Sequence, residues 1–408
     1  MKIAIFSDNF YPELTGISDS IVTTAEYLGK NGHQVRIYAP RYSTKNYQIA
    51  NLPEWELDLG DNVSIYRFPS LPFPTGTKQS RLVIPTGFFC MRDLKKFNPD
   101  VIHSHQFFGT GIEAMLAAKF LKIPFVGTNH TVITEYVRYA PIKAKWLETL
   151  SQKYVNWYYG RCDFISAPSQ SVIDEMESFG FKVKSKVISN PIDADAFNNF
   201  IDSTDMERKK LKQKFGVNDK TIIYAGRFAP EKNIDVIIKA VALVKKDIPD
   251  INLAMAGHGV LLEEIRKMAG ELGIAENVKF LGTLDKFELA DLYRASEIFP
   301  ITSKSETQSM TLIQAMACGL PVIGVRARAL PEYINDRNGI LIEPDDHVSL
   351  ARNIVELMSD RKKAELLGRG GIESVREFSP EKIGKKWEKL YSEVAKSEVS
   401  DKIKIYET

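Results

Sequence analysis

At 408 residues the chain is longer than one ordinary domain and has room for two, and an apolar share of 44% supplies substantial cores. A net charge of +2 argues against a nucleic-acid binder, and three widely separated cysteines, Cys90, Cys162 and Cys318, form neither a zinc pattern nor a disulfide framework, which fits a reducing, cytoplasmic setting. No run approaches the ~20 apolar residues that span a bilayer; the most membrane-like stretch, Leu82–Met91, is short and holds Pro85 and Gly87, so integral insertion is disfavoured and surface attachment stays open.

The N-terminal MKIAIFSDNFYPE reads as a first strand (2–7) and loop rather than as a cleavable leader. A helix follows near Ser18–Lys30. Short apolar strands then recur at QVRIYA (34–39), VSIYRF (63–68), DVIHSH (100–105), IPFVGT (123–128), DFISAP (163–168) and KVISNP (186–191). Helical segments separate them, and that alternation predicts a mostly parallel sheet covered on both faces. SLPFPTGT (70–77) is turn-rich and reads as an irregular surface loop.

The second half repeats the logic. TIIYAG (221–226), INLAMAG (251–257), VKFLG (278–282), EIFP (297–300) and PVIGV (321–325) read as strands, with helices over Asp235–Val244 and Leu261–Leu272 among the segments between them. The polar stretch Asn198–Gln213 has little apolar strength and marks the junction. The expectation is an α/β chain of two Rossmann-like, doubly wound domains facing a cleft: 1–197, 198–379, and a helical region 380–408 that crosses back to the first domain. A nicotinamide enzyme would need GxGxxG after the first strand, but FYPELTGIS holds only Gly16. A periplasmic-type binding protein would need export.

Three loops carry the chemistry: GRFAPEKN (226–233), AGHGV (256–260) and SKSETQSM (303–310), the last leading into a small-residue helix and the strand PVIGV. Each follows a strand, the position at which open α/β sheets bind nucleotides and other anions. Arg227 and Lys232 stand five residues apart around one loop beyond Gly226, a spacing that suits cations gripping a diphosphate from two sides. Their bland alternative is solvated surface. Glu306 precedes the helix Met310–Ala317; its carboxylate suits sugar hydroxyls, and the backbone N–H groups at Ser309, Met310 and Thr311 suit donor oxygens. The bland alternative for Glu306 is helix capping. His130, in GTNHT at a strand end, suits a sugar hydroxyl or charge near the reacting centre; a lone histidine is otherwise a structural hydrogen-bonding residue. His103 and His105 have no third metal ligand at convincing spacing.

The order and spacing of YPELTGIS, HSHQFFG, GTNHT, SNPID, GRFAPEKN, AGHGV and SKSETQSMTLIQAMACGLPV resemble the family 4 retaining glycosyltransferases of the GT-B arrangement, across nearly the whole chain. More narrowly, GTNHT with the aromatic and basic segment after it, and SETQSM, resemble bacterial enzymes that glucosylate diacylglycerol. Gly16 lets the first βα loop approach a phosphate or an acceptor, or is simply a turn, and Gly257, His258 and Gly259 can bring backbone groups close to a nucleotide. The resemblance implies that Arg227 and Lys232 bind the donor diphosphate, that Asn190 belongs to a cleft-lining loop, and that Phe280 and Leu281 border a uracil. It implies transfer without a metal or separate cofactor, with UDP-glucose as donor substrate. The family's Glu-x7-Glu pair appears here as Glu306 and Gln314, and a neutral amide binds a ribose hydroxyl less strongly than a carboxylate does.

From Lys119 to Arg161 seven Lys/Arg residues face two Glu residues, with Trp146, Tyr154, Trp157, Tyr158 and Tyr159 interspersed. Basic side chains attract anionic headgroups and aromatic rings favour the interface, so the expected partners are a lipid acceptor and an anionic membrane surface at the cytoplasmic face. The alternative is a core-facing aromatic stripe with a solvated basic face. The leading reading is hexose transfer, glucose from UDP-glucose, to diacylglycerol or a related membrane lipid. The other readings are transfer to a soluble or polyprenyl-linked sugar, and a sugar-nucleotide-binding module without turnover.

Overall fold

The computed structural model describes residues 1–13, 15–50, 52–73, 80–87, 89–131, 145–194, 197 and 204–406. The chain divides into two compact units, Met1–Pro191 with Pro380–Thr408, and Ile192–Ser379. Sequence reading ends the first domain at residue 197, whereas Ile192, Ala194 and Phe197 pack in the core of the second unit.

The first unit holds strands β1 (Lys2–Phe6), β2 (Gln34–Pro40), β3 (Val63–Phe68), β4 (Leu71–Pro72), β5 (Arg81–Leu82), β6 (Val101–Ser104), β7 (Phe125–Thr128), β8 (Phe164–Ala167) and β9 (Ser185–Val187). Seven of them form one parallel sheet in the order β3-β2-β1-β6-β7-β8-β9. The central strands β1, β6 and β7 are covered on both faces, which is why they read as apolar runs, whereas the edge strands β3 and β9 are only partly buried. In β1 the period of two sorts Ala4 and Phe6 into one core and Ile3 and Ile5 into the other. β4 and β5 pair antiparallel at the edges of the stretch expected to be irregular; residues 74–77 of that stretch lie outside the described residues.

The helix Pro380–Tyr406 belongs to the first unit. It contributes Ile383, Trp387, Leu390, Tyr391 and Val394 to the core that contains Ile3 and Ile5, at the spacing of one helical face. Gly384 allows the contact with the helix Gly16–Lys30: a Cβ there would lie 2.0 Å from Tyr27 Cδ1.

The second unit holds β10 (Thr221–Ala225), β11 (Asn252–Ala256), β12 (Val278–Gly282), β13 (Phe299–Ile301), β14 (Val322–Val325) and β15 (Gly339–Ile342). β10-β11-β12 and β13-β14-β15 are parallel triplets. A parallel bridge at Ile222 and Ile298 joins them, with Ile223 N–H donating to Ile298 O at 3.0 Å and Glu297 N–H to Thr221 O at 2.8 Å. β10 and β13 are therefore neighbours, and the strand order reverses between them.

Candidate functional site

The loops beyond β10 and β13 meet where the second unit's strand order reverses, the position at which open α/β sheets take ligands. Pro230 opens a single 3-10 turn over Pro230–Lys232, and Asn233 adopts the left-handed conformation from which helix Ile234–Val244 starts. Thr302 Oγ1 lies 3.1 and 2.9 Å from the carbonyl oxygens of Lys232 and Asn233, and Ser303 Oγ donates to Glu231 O at 3.2 Å. These bonds tie the SKSETQSM loop to the GRFAPEKN loop.

Both expected cations sit at this junction, each beside a carboxylate. Lys232 Nζ donates to Glu306 Oε1 at 2.6 Å. Arg227 Nη2 donates to Glu231 Oε1 at 3.0 Å. The Lys232 side chain is 22% exposed and Glu306 10%, whereas Arg227 is 65% exposed. Burial alone pushes the Glu306 carboxyl up, but the charge and hydrogen bond of Lys232, with help from Ser303 and Arg227, hold it below its ordinary value. Glu306 is thus a buried carboxylate kept ionised by its partner. An ammonium carries three donors, so the pairing leaves Lys232 able to bind a phosphate as well.

Capping of helix Met310–Ala317 falls to Ser309, whose hydroxyl accepts from Leu312 N–H, and not to Glu306. One turn into that helix, Gln314 Oε1 is buried and has no hydrogen-bond partner among the described residues. An orphaned acceptor at this depth is costly unless a ligand hydroxyl or water supplies a donor. Met310 and Thr311 fill the first turn between Ser309 and Gln314.

In the AGHGV loop, Gly257 has φ 137°, and a Cβ there would lie 1.9 Å from Gly226 O. His258 O accepts from Phe228 N–H at 3.0 Å. A Cβ on Gly259 would meet Phe228 O at 2.3 Å. These glycines let this loop pack against the cation-bearing loop, a need already present without a ligand. Phe280 lies against Phe228 and under the Arg266 guanidinium, 4.8 Å from its ring centroid, with Leu281 beside it half-buried.

The first unit has its own reversal of strand order, at β1 and β6. Asp8 follows β1, accepts from Thr110 N–H at 2.8 Å, and is pushed up to about 6 by burial despite that bond. His130 follows β7. Its Nε2 lies 2.9 Å from His105 Nδ1 beyond β6, with the two rings stacked 5.2 Å apart. Burial lowers the pKa of His130 and of His103 to about 3, and that of His105 well below its ordinary value. Burial disfavours the cationic form of His130, which favours the hydrogen-bonding role over the charge-stabilising one. Gly16 begins the helix Gly16–Lys30 behind the N-cap Thr15, and Ser20 of that helix donates to Asn190 Oδ1 at 2.9 Å. Among the described residues no group of three or more His, Cys, Asp or Glu could hold a metal ion.

Sequence reasoning missed three side chains near these residues: Glu231, Asp8 and Tyr391, whose Oη lies 2.8 Å from His103 Nδ1. Glu231 stands inside a quoted motif, and its acidic charge four residues after Arg227 is a signal that could have found it. Asp8 and Tyr391 acquire their places only through tertiary contact.

The helix Lys145–Tyr159 splits the aromatic residues between two environments. Tyr158 and Tyr159 are fully buried in the core, and Tyr154 donates to Phe107 O at 2.6 Å. Trp146, Leu150, Lys153 and Trp157 are exposed, at spacings that align them along one face. Arg161 lies over the Trp157 ring, 4.1 Å from its centroid. The expected basic residues Arg138 and Lys143 lie outside the described residues. No helix among the described residues is long and apolar enough to cross a membrane.

Two family models match the chain: "Glycosyltransferase Family 4" over residues 14–196 and "Glycosyl transferases group 1" over residues 205–374. The chain is 30% identical over 397 residues to the alpha-monoglucosyldiacylglycerol synthase of Streptococcus pneumoniae, covering 96% of this chain and 85% of that protein. It is 26% identical to the alpha-monoglucosyldiacylglycerol synthase of Acholeplasma laidlawii, covering 96% of each. Its fold is similar to that of Anabaena HepE, solved with UDP and glucose, with a TM-score of 0.76 at 18% identity over 96% of this chain and 100% of that one.

Proposed function

The chain belongs to glycosyltransferase family 4 and is a retaining, nucleotide-sugar-dependent transferase of GT-B fold, and from that premise we propose that it moves glucose from UDP-glucose to diacylglycerol or a closely related membrane lipid. One observation supports the donor half of the reading: Lys232 and Glu306 pair, with Arg227 close enough to act on the same carboxylate, at the strand-order reversal of the second unit, and the helix that follows holds the orphaned Gln314 acceptor. Arg227 and Lys232 hold the diphosphate, Glu306 orients Lys232 and meets the sugar, and Gln314 Oε1 accepts from a ribose hydroxyl. The backbone about Ser309 and the half-buried Phe280 and Leu281 complete the nucleotide site. His130, as a neutral imidazole, hydrogen-bonds the sugar.

In the transfer step the bond from the anomeric carbon to the β-phosphate oxygen breaks, and negative charge grows on the leaving diphosphate. Arg227 and Lys232 stabilise that charge as it develops. The acceptor oxygen adds on the same face, and its proton passes to the departing phosphate oxygen. The cations perform the electrostatic work, so transfer is expected to persist after chelation of divalent ions.

The lipid half is supported by the names of the two bacterial relatives and by the exposed stripe Trp146, Leu150, Lys153 and Trp157. Indole rings favour the headgroup interface, and each near-surface cation adds roughly 1 kcal/mol of attraction to an anionic leaflet. The enzyme then works from the membrane surface at its cytoplasmic face.

A screen of UDP-glucose, UDP-galactose and GDP-mannose against diacylglycerol vesicles and soluble sugars tests the substrate pair. The expected result is fastest turnover with UDP-glucose and diacylglycerol, unchanged by EDTA; turnover confined to soluble sugars would remove the lipid reading. The surface has its own test. The triple variant Trp146→Ala/Lys153→Gln/Trp157→Ala is expected to bind anionic vesicles about tenfold or more weakly, and high salt should reproduce part of that loss. UDP binding in solution should be unaffected. Equal binding of both proteins to anionic and neutral vesicles would return the stripe to an ordinary surface.

A further inference from the structure

We infer that His105 is a positioning residue for His130, fixing which edge of the His130 ring carries the N–H. The inference rests on the reading of His130 as a sugar-contacting group. His105 Nδ1 and His130 Nε2 are 2.9 Å apart, so a single proton lies between them. Burial disfavours a positive charge on either ring. A neutral imidazole carries one proton, on one nitrogen or the other. The two tautomers are therefore coupled. If His105 is protonated at Nδ1, His130 must accept at Nε2 and carry its own proton on Nδ1. If His130 donates from Nε2, its Nδ1 is a bare acceptor.

The backbone and one ring face of His105 are fixed by their neighbours. Its backbone N–H donates to Phe6 O at 2.9 Å. Its ring lies 4.1 Å from that of His103. His103 is in turn pinned at both nitrogens, Nδ1 to Tyr391 Oη at 2.8 Å and Nε2 to Thr128 Oγ1 at 2.7 Å, and Thr128 Oγ1 continues to Ser166 Oγ at 2.6 Å. Trp387 packs 4.6 Å from the His103 ring. Four side chains from two strands and the helix Pro380–Tyr406 thus fix the ring that packs against His105. That much fixed, buried polar structure next to one histidine is what orienting a reactive group requires.

The test uses the full chain and two substitutions. His105→Phe keeps a ring against His103 and removes the nitrogen; His105→Asn returns an amide to the Nδ1 edge. Long-range proton–nitrogen correlation NMR reads the His130 tautomer, and steady-state kinetics read transfer from UDP-glucose. One dominant neutral tautomer is expected in the wild type and a mixture in His105→Phe. The kcat of His105→Phe should fall roughly 10- to 100-fold with KM for UDP-glucose nearly unchanged, as expected for a misplaced catalytic contact. His105→Asn should regain most of the rate. His105→Phe/His130→Ala should be no slower than His130→Ala. An unchanged His130 tautomer, additive losses in the double variant, or a natively folded His105→Asn as slow as His130→Ala would each overturn the positioning role. A His130→Ala variant with wild-type rate would instead remove the reading of His130, and the positioning role with it.

Discussion

Lys232→Ala is expected to lower kcat/KM for UDP-glucose by about 2–4 kcal/mol, roughly 30- to 1,000-fold. Two losses combine. The ammonium that meets the leaving diphosphate is gone, and Glu306 is left as a buried carboxylate facing the same anion. The second loss makes a distinctive pH prediction. In the wild type, Lys232 outweighs the burial that would raise the Glu306 pKa. With Lys232 removed the raising cause remains, so Glu306 should take up a proton at a higher pH than in the wild type. UDP binding by Lys232→Ala should therefore recover as pH falls, and Lys232→Ala/Glu306→Gln should recover part of it at neutral pH. Isothermal titration with UDP across pH, beside steady-state kinetics, measures both. Near-wild-type kinetics would sink the clamp; a deficit in UDP binding that does not change with pH would sink the account of Glu306.

Arg227→Ala is expected to lose a similar 2–4 kcal/mol of transition-state stabilisation, but with a different stability signature. Its guanidinium is largely exposed, so solvent screens its link to Glu231 even though the Glu231 side chain is only 10% exposed, and the pair contributes less to folding than one with both partners buried. Arg227→Ala should therefore melt near the wild-type temperature while losing turnover. Lys232→Ala, which breaks a buried pair, should melt lower. Thermal melts beside kcat/KM values separate the two. Unimpaired turnover in Arg227→Ala would restrict the diphosphate contact to Lys232.

The strands that bear the site were legible because they are buried on both faces. KIAIFS and TIIYAG are unbroken apolar runs, and the structure gives β1 and β10 within them. β15 was not legible: GILI is four residues long, with Ile340 and Leu341 only half-buried at the sheet edge. The short pair β4 and β5 was hidden for the same reason, two residues a side amid turn-forming prolines. Motif spacing singled out Arg227, Lys232 and Glu306 as candidates, but not which carboxylate each cation pairs with. The Lys232–Glu306 bond joins residues 74 apart, and the His103–Tyr391 bond joins residues 288 apart. Such contacts follow from strand order, which no local pattern encodes. The aromatic residues of Lys145–Tyr159 show the same limit: one helix turns Tyr158 and Tyr159 into the core and Trp146 and Trp157 outward, so the core reading accounts for only part of the stripe.

The measurement that bears most directly on the proposed reaction is NMR of the product formed from UDP-[13C]glucose and diacylglycerol vesicles by the EDTA-treated enzyme. A glucosyl-diacylglycerol whose anomeric carbon keeps the donor's α configuration is the predicted result. A β-linked glucolipid, or no glucolipid until a divalent ion is restored, would contradict it.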